Sequence, residues 1–171
     1  MRVFLMVLLL QVVAWAAPLA GHPAPVWRFD GEDYYLIERA TQPGARILAF
    51  LRDGDSPDTC DRRLWLRKVA CKNLRQYELS YTHGWDQSQR NVVYRSAVKL
   101  VHSGWVQKNG VFQWRMMDWE IQGGALVCAE MEITARGDAK LLAGLVERQY
   151  ESWRGQLTGM MKQAPGLLNQ R

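Results

Sequence analysis

The chain has no C-x-x-C pair, and its three cysteines and three histidines are scattered without zinc-like spacing, which excludes a structural zinc module. No serine stands in a G-x-S-x-G elbow and no cysteine carries a diagnostic local signature, so the common hydrolase nucleophiles are missing. Beyond the first segment, no apolar run approaches the roughly 20 residues that a membrane-spanning helix needs. There is no internal repeat, linker or second composition block, so one domain is expected over 26–162.

What is present begins with a leader. Met1-Arg2 is a short positive start, Val3–Val13 is apolar apart from Gln11, and Ala14-Trp15-Ala16 offers the small-x-small pattern of a signal-peptidase site. Residues 1–17 are therefore expected to be a signal peptide, cleaved after about Ala16 to Ala20. No cysteine marks a lipoprotein site there, so a soluble, exported chain is expected, periplasmic or extracellular. Without Arg2, 21 cations face 17 acids, a net charge of +4. That balance is mildly basic and suits an anionic surface, but is too small for a dedicated nucleic-acid binder. Roughly 150 remaining residues can bury a core without disulfide staples.

Export permits disulfides, and the odd count of Cys60, Cys71 and Cys128 leaves at least one thiol free or paired between chains. Eleven steps lead from Cys60 to Cys71, roughly 36 Å as a strand or 16 Å as a helix, against about 7 Å for a disulfide. The intervening DRRLWLRKVA has no Gly, Pro or Asn to reverse it. Pairing of Cys60 or Cys71 with Cys128 is expected ahead of the local pair, with three unpaired small hydrophobes as the alternative.

The architecture is organised around Val111–Arg136. Two arms of alternating character flank Gly123-Gly124, a doublet that supplies the positive φ of a tight hairpin. A two-residue turn there sets Glu120 opposite Val127, Asp118 opposite Ala129, Glu130 opposite Met117 and Glu132 opposite Arg115. Earlier, VWRFD and YYLIER read as a first hairpin around Gly31, and ILAFLR as a third strand. A helix is expected over about 57–77, begun by Ser56-Pro57 and continued by good helix formers. Tyr77, Leu79 and Tyr81 then alternate as a short strand, and Val92–Val101 reads as another. Asp138 is placed to cap a closing helix over 138–160, with apolar residues at three- and four-residue steps from Leu142 to Met160. Pro165 opens a loose tail over 163–171. The fold class is α+β, an antiparallel sheet of about five to seven strands covered by two helices. Its element order is loosely similar to the PsbP-like arrangement, a likeness that carries no function.

Among groups able to do chemistry, His83 and Asp86 share a polar loop with Trp85, the shape of a general base with an orienting acid and equally of an ordinary loop. His22 and His102 read as surface side chains. The hairpin acids form two pairs on opposite faces, which disfavours a glycosidase-like carboxylate pair and makes Arg115 with Glu132 an ordinary cross-strand pair. The densest cationic run is Arg62, Arg63, Arg67, Lys68, Lys72 and Arg75. On a helix, Arg63 with Arg67 and Lys68 with Lys72 stand four apart, and Trp65 lies among them. With Arg115 these residues make a basic, aromatic candidate binding surface, since Arg and Trp concentrate binding energy at interfaces. The expectation is a non-catalytic interaction module, such as an inhibitor, immunity or envelope-assembly accessory protein, with another envelope or secreted protein as partner and no cofactor. The alternatives are a cell-envelope hydrolase using His83, Asp86 or the hairpin acids, and a carrier of a small apolar ligand or lipid with a pocket between sheet and closing helix.

Overall fold

Period-two alternation dominates the chain, and the structure, a computed structural model, turns it into eight strands. It describes residues 27–171 except 72, 84, 86–88, 109–110, 136–138 and 170–171. The expected leader, Lys72, Asp86 and the capping Asp138 therefore lie outside the described residues. The strands are β1 (Trp27–Phe29), β2 (Glu32–Gln42), β3 (Ala45–Arg52), β4 (Arg62–Ala70), β5 (Asn91–Arg95), β6 (Lys99–Lys108), β7 (Val111–Gln122) and β8 (Ala125–Ala135). Helix α1 spans Leu74–Tyr81 and α2 spans Ala139–Leu168. All strand pairs are antiparallel, in the order β1-β2-β3-β4-β8-β7-β6-β5. The class is α+β as expected, with eight strands rather than five to seven.

The central hairpin takes the expected register. Gly123 and Gly124 both hold positive φ, 57° and 78°, and Arg115, Met117, Asp118 and Glu120 face Glu132, Glu130, Ala129 and Val127. That phase sorts side chains between two layers. On one face Leu64, Leu66, Trp114, Met116, Val127, Ala129, Met131 and Ile133 meet Leu142, Trp153, Leu157, Met160 and Met161 of α2. On the other, Leu100, Met117, Trp119, Leu126 and Cys128 meet Leu74 and the partly buried Tyr77 and Tyr81 of α1. Helix α2 lies across β8, β7, β4, β3 and β1.

Four expectations fail for physical reasons. The helix expected over about 57–77 is instead a turn at 56–60, strand β4 and then α1. Leu64 and Leu66 alternate with Trp65 and Arg67 between β3 and β8, and two flanking ladders outweigh local helix propensity. The stretch Tyr77–Tyr81, read as a strand, is helical. Asn73 caps it by accepting from the Gln76 amide at 3.0 Å, and Tyr77 and Tyr81 stack at 5.8 Å with their edges on Trp119. The segment 92–101 divides into β5 and β6 around a turn in which the Ser96 hydroxyl accepts from the Val98 and Lys99 amides. The closing helix runs through Pro165 instead of fraying at 163. Ala164 and Leu168 are buried in the core and Arg46 Nη1 donates to the Leu168 carbonyl at 2.6 Å, which holds the last turn despite the missing proline N–H.

The expected disulfide is also not formed, and all three cysteines are thiols. The β4–β8 ladder sets Arg67 opposite Cys128. Cys71 and Cys60 are four and seven residues from Arg67, roughly 13 and 23 Å along an extended chain and beyond bonding reach.

Trp153 is fully buried, tilted against Trp114 at 5.8 Å, with the Arg62 guanidinium 5.0 Å from its ring. Arg62 in turn pairs with Asp30 at 2.8 Å, tying the short edge strand β1 to the core. Trp153→Ala should destabilise the domain by about 3–5 kcal/mol, read from urea unfolding midpoints. A loss under about 1 kcal/mol would mean that α2 does not lie on the sheet through this residue.

Candidate functional site

The face of β4 turned away from α2 carries Arg63, Trp65 and Arg67, and their ladder partners on β8 are Glu132, Glu130 and Cys128. Arg115 stands next in line on β7, opposite Glu132. Four of the six residues singled out as a binding surface therefore come together, by strand alternation rather than by helical spacing. Lys68 does not join them. It points to the opposite layer, where its ammonium lies 3.5 Å from Asn169 Oδ1 at the end of α2. Lys72 is outside the described residues.

Trp65 sits between two guanidiniums, Arg63 at 5.3 Å and Arg67 at 5.0 Å from its ring centre. Glu130, only 1% exposed, anchors the inner edge of this stack. Both of its oxygens accept from the Tyr81 hydroxyl at 2.7 Å, and Arg67 and Arg115 lie at 3.4 and 3.8 Å. Arg115 also reaches Glu132 at 2.6 Å, the cross-strand pair expected from the hairpin register. Three cations against two acids leave one positive charge over. It resides on Arg63, whose partners are the Pro57 carbonyl at 2.6 Å and Cys60 Sγ at 3.3 Å, with no carboxylate in pairing range among the described residues. Nε of Arg63, Arg67 and Arg115 and Nε1 of Trp65 have no acceptor among the described residues. Burial works against the charge of Arg67, yet Glu130 holds its pKa above the ordinary arginine range. Burial, reinforced by Glu130, pushes the Tyr81 phenol up, and burial pushes the Cys128 thiol well up, so neither ionises near neutrality. The group is suited to gripping an anion, with no side chain tuned for proton transfer.

A second polar cluster lies at the other end of α1. Buried Glu78 accepts from both Arg95 nitrogens at 2.7 and 2.6 Å and pairs closely with Arg90. Burial opposes its charge, but hydrogen bonds from Arg95 and Arg90 hold the carboxyl below its usual range. His102, expected at the surface, is 0% exposed. It stacks on Trp85, meets the edge of Trp119 and accepts from Arg90 Nε at Nδ1. The Glu78–Arg90–Arg95–His102 cluster, and the place of Tyr81 and Glu130 beside the cationic face, were not legible in the sequence. The available signals were the four-residue spacing of Tyr77 and Tyr81 and the presence of one acid, Glu78, in an otherwise acid-free helix.

The remaining candidates do not converge. His83 is exposed in the turn after α1, and its expected partner Asp86 is outside the described residues. Asp118 faces α2, where Thr158 donates to it at 3.3 Å and Lys99 lies at 3.2 Å, whereas Glu130 and Glu132 face the other layer, as the register requires. A cleft of about 320 Å³ does lie between the sheet and α2, lined by Trp105, Phe112, Ala139 and Ala143, but it opens to solvent. No helix among the described residues is long and apolar enough to cross a membrane. No family model, curated protein or solved structure matches the chain.

Burial and the neighbouring Arg90 push the His102 pKa down to about 3, with Glu78 opposing and Arg95 assisting. An unfolded histidine takes up its proton near 6.5, so the unfolded chain binds more protons between these values and stability falls as pH drops through that window. From pH 6.5 to 4.5 the loss from this one group should be on the order of 2–3 kcal/mol. Urea titrations of wild type and His102→Gln across this range measure it, and parallel profiles for the two proteins would refute the assignment.

Proposed function

We propose that this chain is a small exported, non-catalytic protein-interaction module whose Arg63–Trp65–Arg67–Arg115 face grips an acidic segment of another envelope or secreted protein. The observation that carries the reading is the pair of guanidiniums stacked on one half-buried indole, with Arg63 left without a carboxylate. Arg and Trp concentrate binding energy because each combines a large desolvated contact area with directional donors. The planar fork of a guanidinium matches a carboxylate's two oxygens. Half-exposed Tyr35 and Ile37 on β2 extend apolar surface near the sheet's far edge, the mixture of apolar and charged contacts that protein interfaces use. Export rests on the leader at 1–17 and sets the class of partner.

The partner recovered from an envelope extract on immobilised protein is purified and titrated against wild type, Arg63→Glu and Trp65→Ala. Arg63 is the informative cation because it holds no acid of the fold, so its reversal spares the Glu130 network. Each substitution should weaken binding at least tenfold, and added salt should weaken the wild type further. Unchanged affinity in both variants would remove this face from the proposal. Export has its own check. The intact mass of the protein collected outside the cytoplasm should correspond to loss of 16 to 20 N-terminal residues, and an uncleaved chain retained in the cytosol would overturn it.

A further inference from the structure

The two edges of the sheet are treated differently by the fold. At one end β1 has three residues, contacts α2, and passes into Asp30, whose amide donates to Gln156 Oε1 at 2.6 Å. Short length and a covering helix are the usual ways in which an edge is closed to foreign strands. At the other end β5 has five residues, every one exposed, and its ladder partners lie on β6 alone. It carries no lysine or proline, and its apolar side chains face solvent: Val92 is 40% exposed, Val93 37% and Tyr94 51%, with Val98 of the adjoining turn at 52%. A bulge at Val93 twists the strand without covering it.

At its Arg95 end this strand runs into a cleft of about 690 Å³ floored by Leu74 and Leu100 and lined by Arg75, Glu78, Arg95 and Ser96. Among the described residues, Arg75, Arg90 and Arg95 outnumber the one carboxylate of the cleft, Glu78, by two. The charge selects the occupant. A second copy of this chain would pair antiparallel about a twofold axis, bringing the partner copy's Arg90 to the Arg95 end and setting cation against cation. An extended segment ending in an acid meets the same surplus favourably.

We propose that β5 accepts an extended segment of another protein as a ninth strand, its β-branched side chains lying beside Val92, Val93 and Tyr94 and a carboxylate seated in the Arg75–Arg95 cleft. Main-chain pairing supplies affinity and the carboxylate supplies register, the division of labour found where peptides add to sheet edges. This site lies four strand spacings from Trp65, roughly 19 Å, and is independent of the face proposed above.

The test uses the whole folded chain and three synthetic peptides: Thr-Val-Thr-Val-Glu with a free carboxy-terminus, the same peptide amidated, and amidated Thr-Val-Thr-Val-Lys. Binding is followed by calorimetry and by amide hydrogen exchange at residues 91–95. Saturable binding of the free-acid peptide is expected, with slowed exchange confined to β5, at least tenfold weaker binding of the Lys-ended peptide, and a similar loss in Arg75→Glu. Comparison of free and amidated Glu peptides tells whether the terminal or the side-chain carboxylate is taken. Tyr94→Lys, at an exposed position that cannot unfold the core, should weaken all three, while Trp65→Ala should leave them unchanged. No saturable binding of any peptide, equal binding of the Lys-ended peptide, or a chain that sediments as a dimer broken by Tyr94→Lys would each overturn the proposal.

Discussion

The turn at Gly123-Gly124 decides which side of the sheet every neighbouring residue faces. A two-residue loop with positive φ at both positions locks β7 and β8 into one phase. From that phase Met116 and Met131 go to the α2 layer, while Met117 and Glu130 go to the α1 layer. A slip of β7 by one residue would carry Trp119 out of the α1 layer and turn Arg115 toward α2. The pattern continues outward through the ladders. Because Leu64 pairs with Met131, Trp65 must pair with Glu130, and the cationic side of β4 lands beside the acidic side of β8.

The two layers are closed by unlike means. Helix α2, thirty residues long, covers its face with a continuous apolar stripe. On the opposite face the eight residues of α1 and Trp85 lie over β6–β8, and across β4 the covering material is side chain: two guanidiniums laid on an indole beside Ala49. Arginine stems bury apolar surface as effectively as aliphatic residues while keeping charge near solvent. An uncovered sheet centre is thereby kept from water without a second long helix. Glu130 is what makes that cover stable, since a buried arginine cluster lacking its acid would cost several kcal/mol.

Alternation and turn chemistry made much of this visible beforehand. The hairpin register, the Arg115–Glu132 pair, the separation of the acid pairs and the burial of Trp153 on Val127 and Met131 all follow from period two, period 3.6 and a glycine doublet. What escaped depends on partners distant in sequence. RRLWLRKVA satisfies either period, and only β3 and β8, 18 and 63 residues away from Leu66 at their contacts Leu48 and Ala129, make it a strand. Pro165 reads as a helix breaker until Arg46 is found holding the last carbonyl. His102 reads as a surface residue because nothing local shows that Trp85 and Trp119 will enclose it. The binding surface was legible as a composition of residues and misread as a helix face, so Lys68 was assigned to it wrongly in space.

Helix α1 lies between the two surfaces proposed to bind. Eight residues cannot hold a helix on propensity, so its position rests on side-chain anchors. Tyr77 and Tyr81 are wedged on Trp119, Tyr81 donates to Glu130 on the β4 side, and Glu78 holds Arg90 and Arg95 on the β5 side. An acidic ligand that draws Arg95 outward competes with Glu78, and one that draws Arg67 outward competes with Glu130 and, through it, Tyr81. Each therefore loosens an anchor of the same short helix. By reciprocity, any change of affinity that a ligand at one surface caused at the other would be returned by the same factor. The shortest helix of the fold is thus the element that touches both the sheet's centre at β4 and β8 and its β5 side.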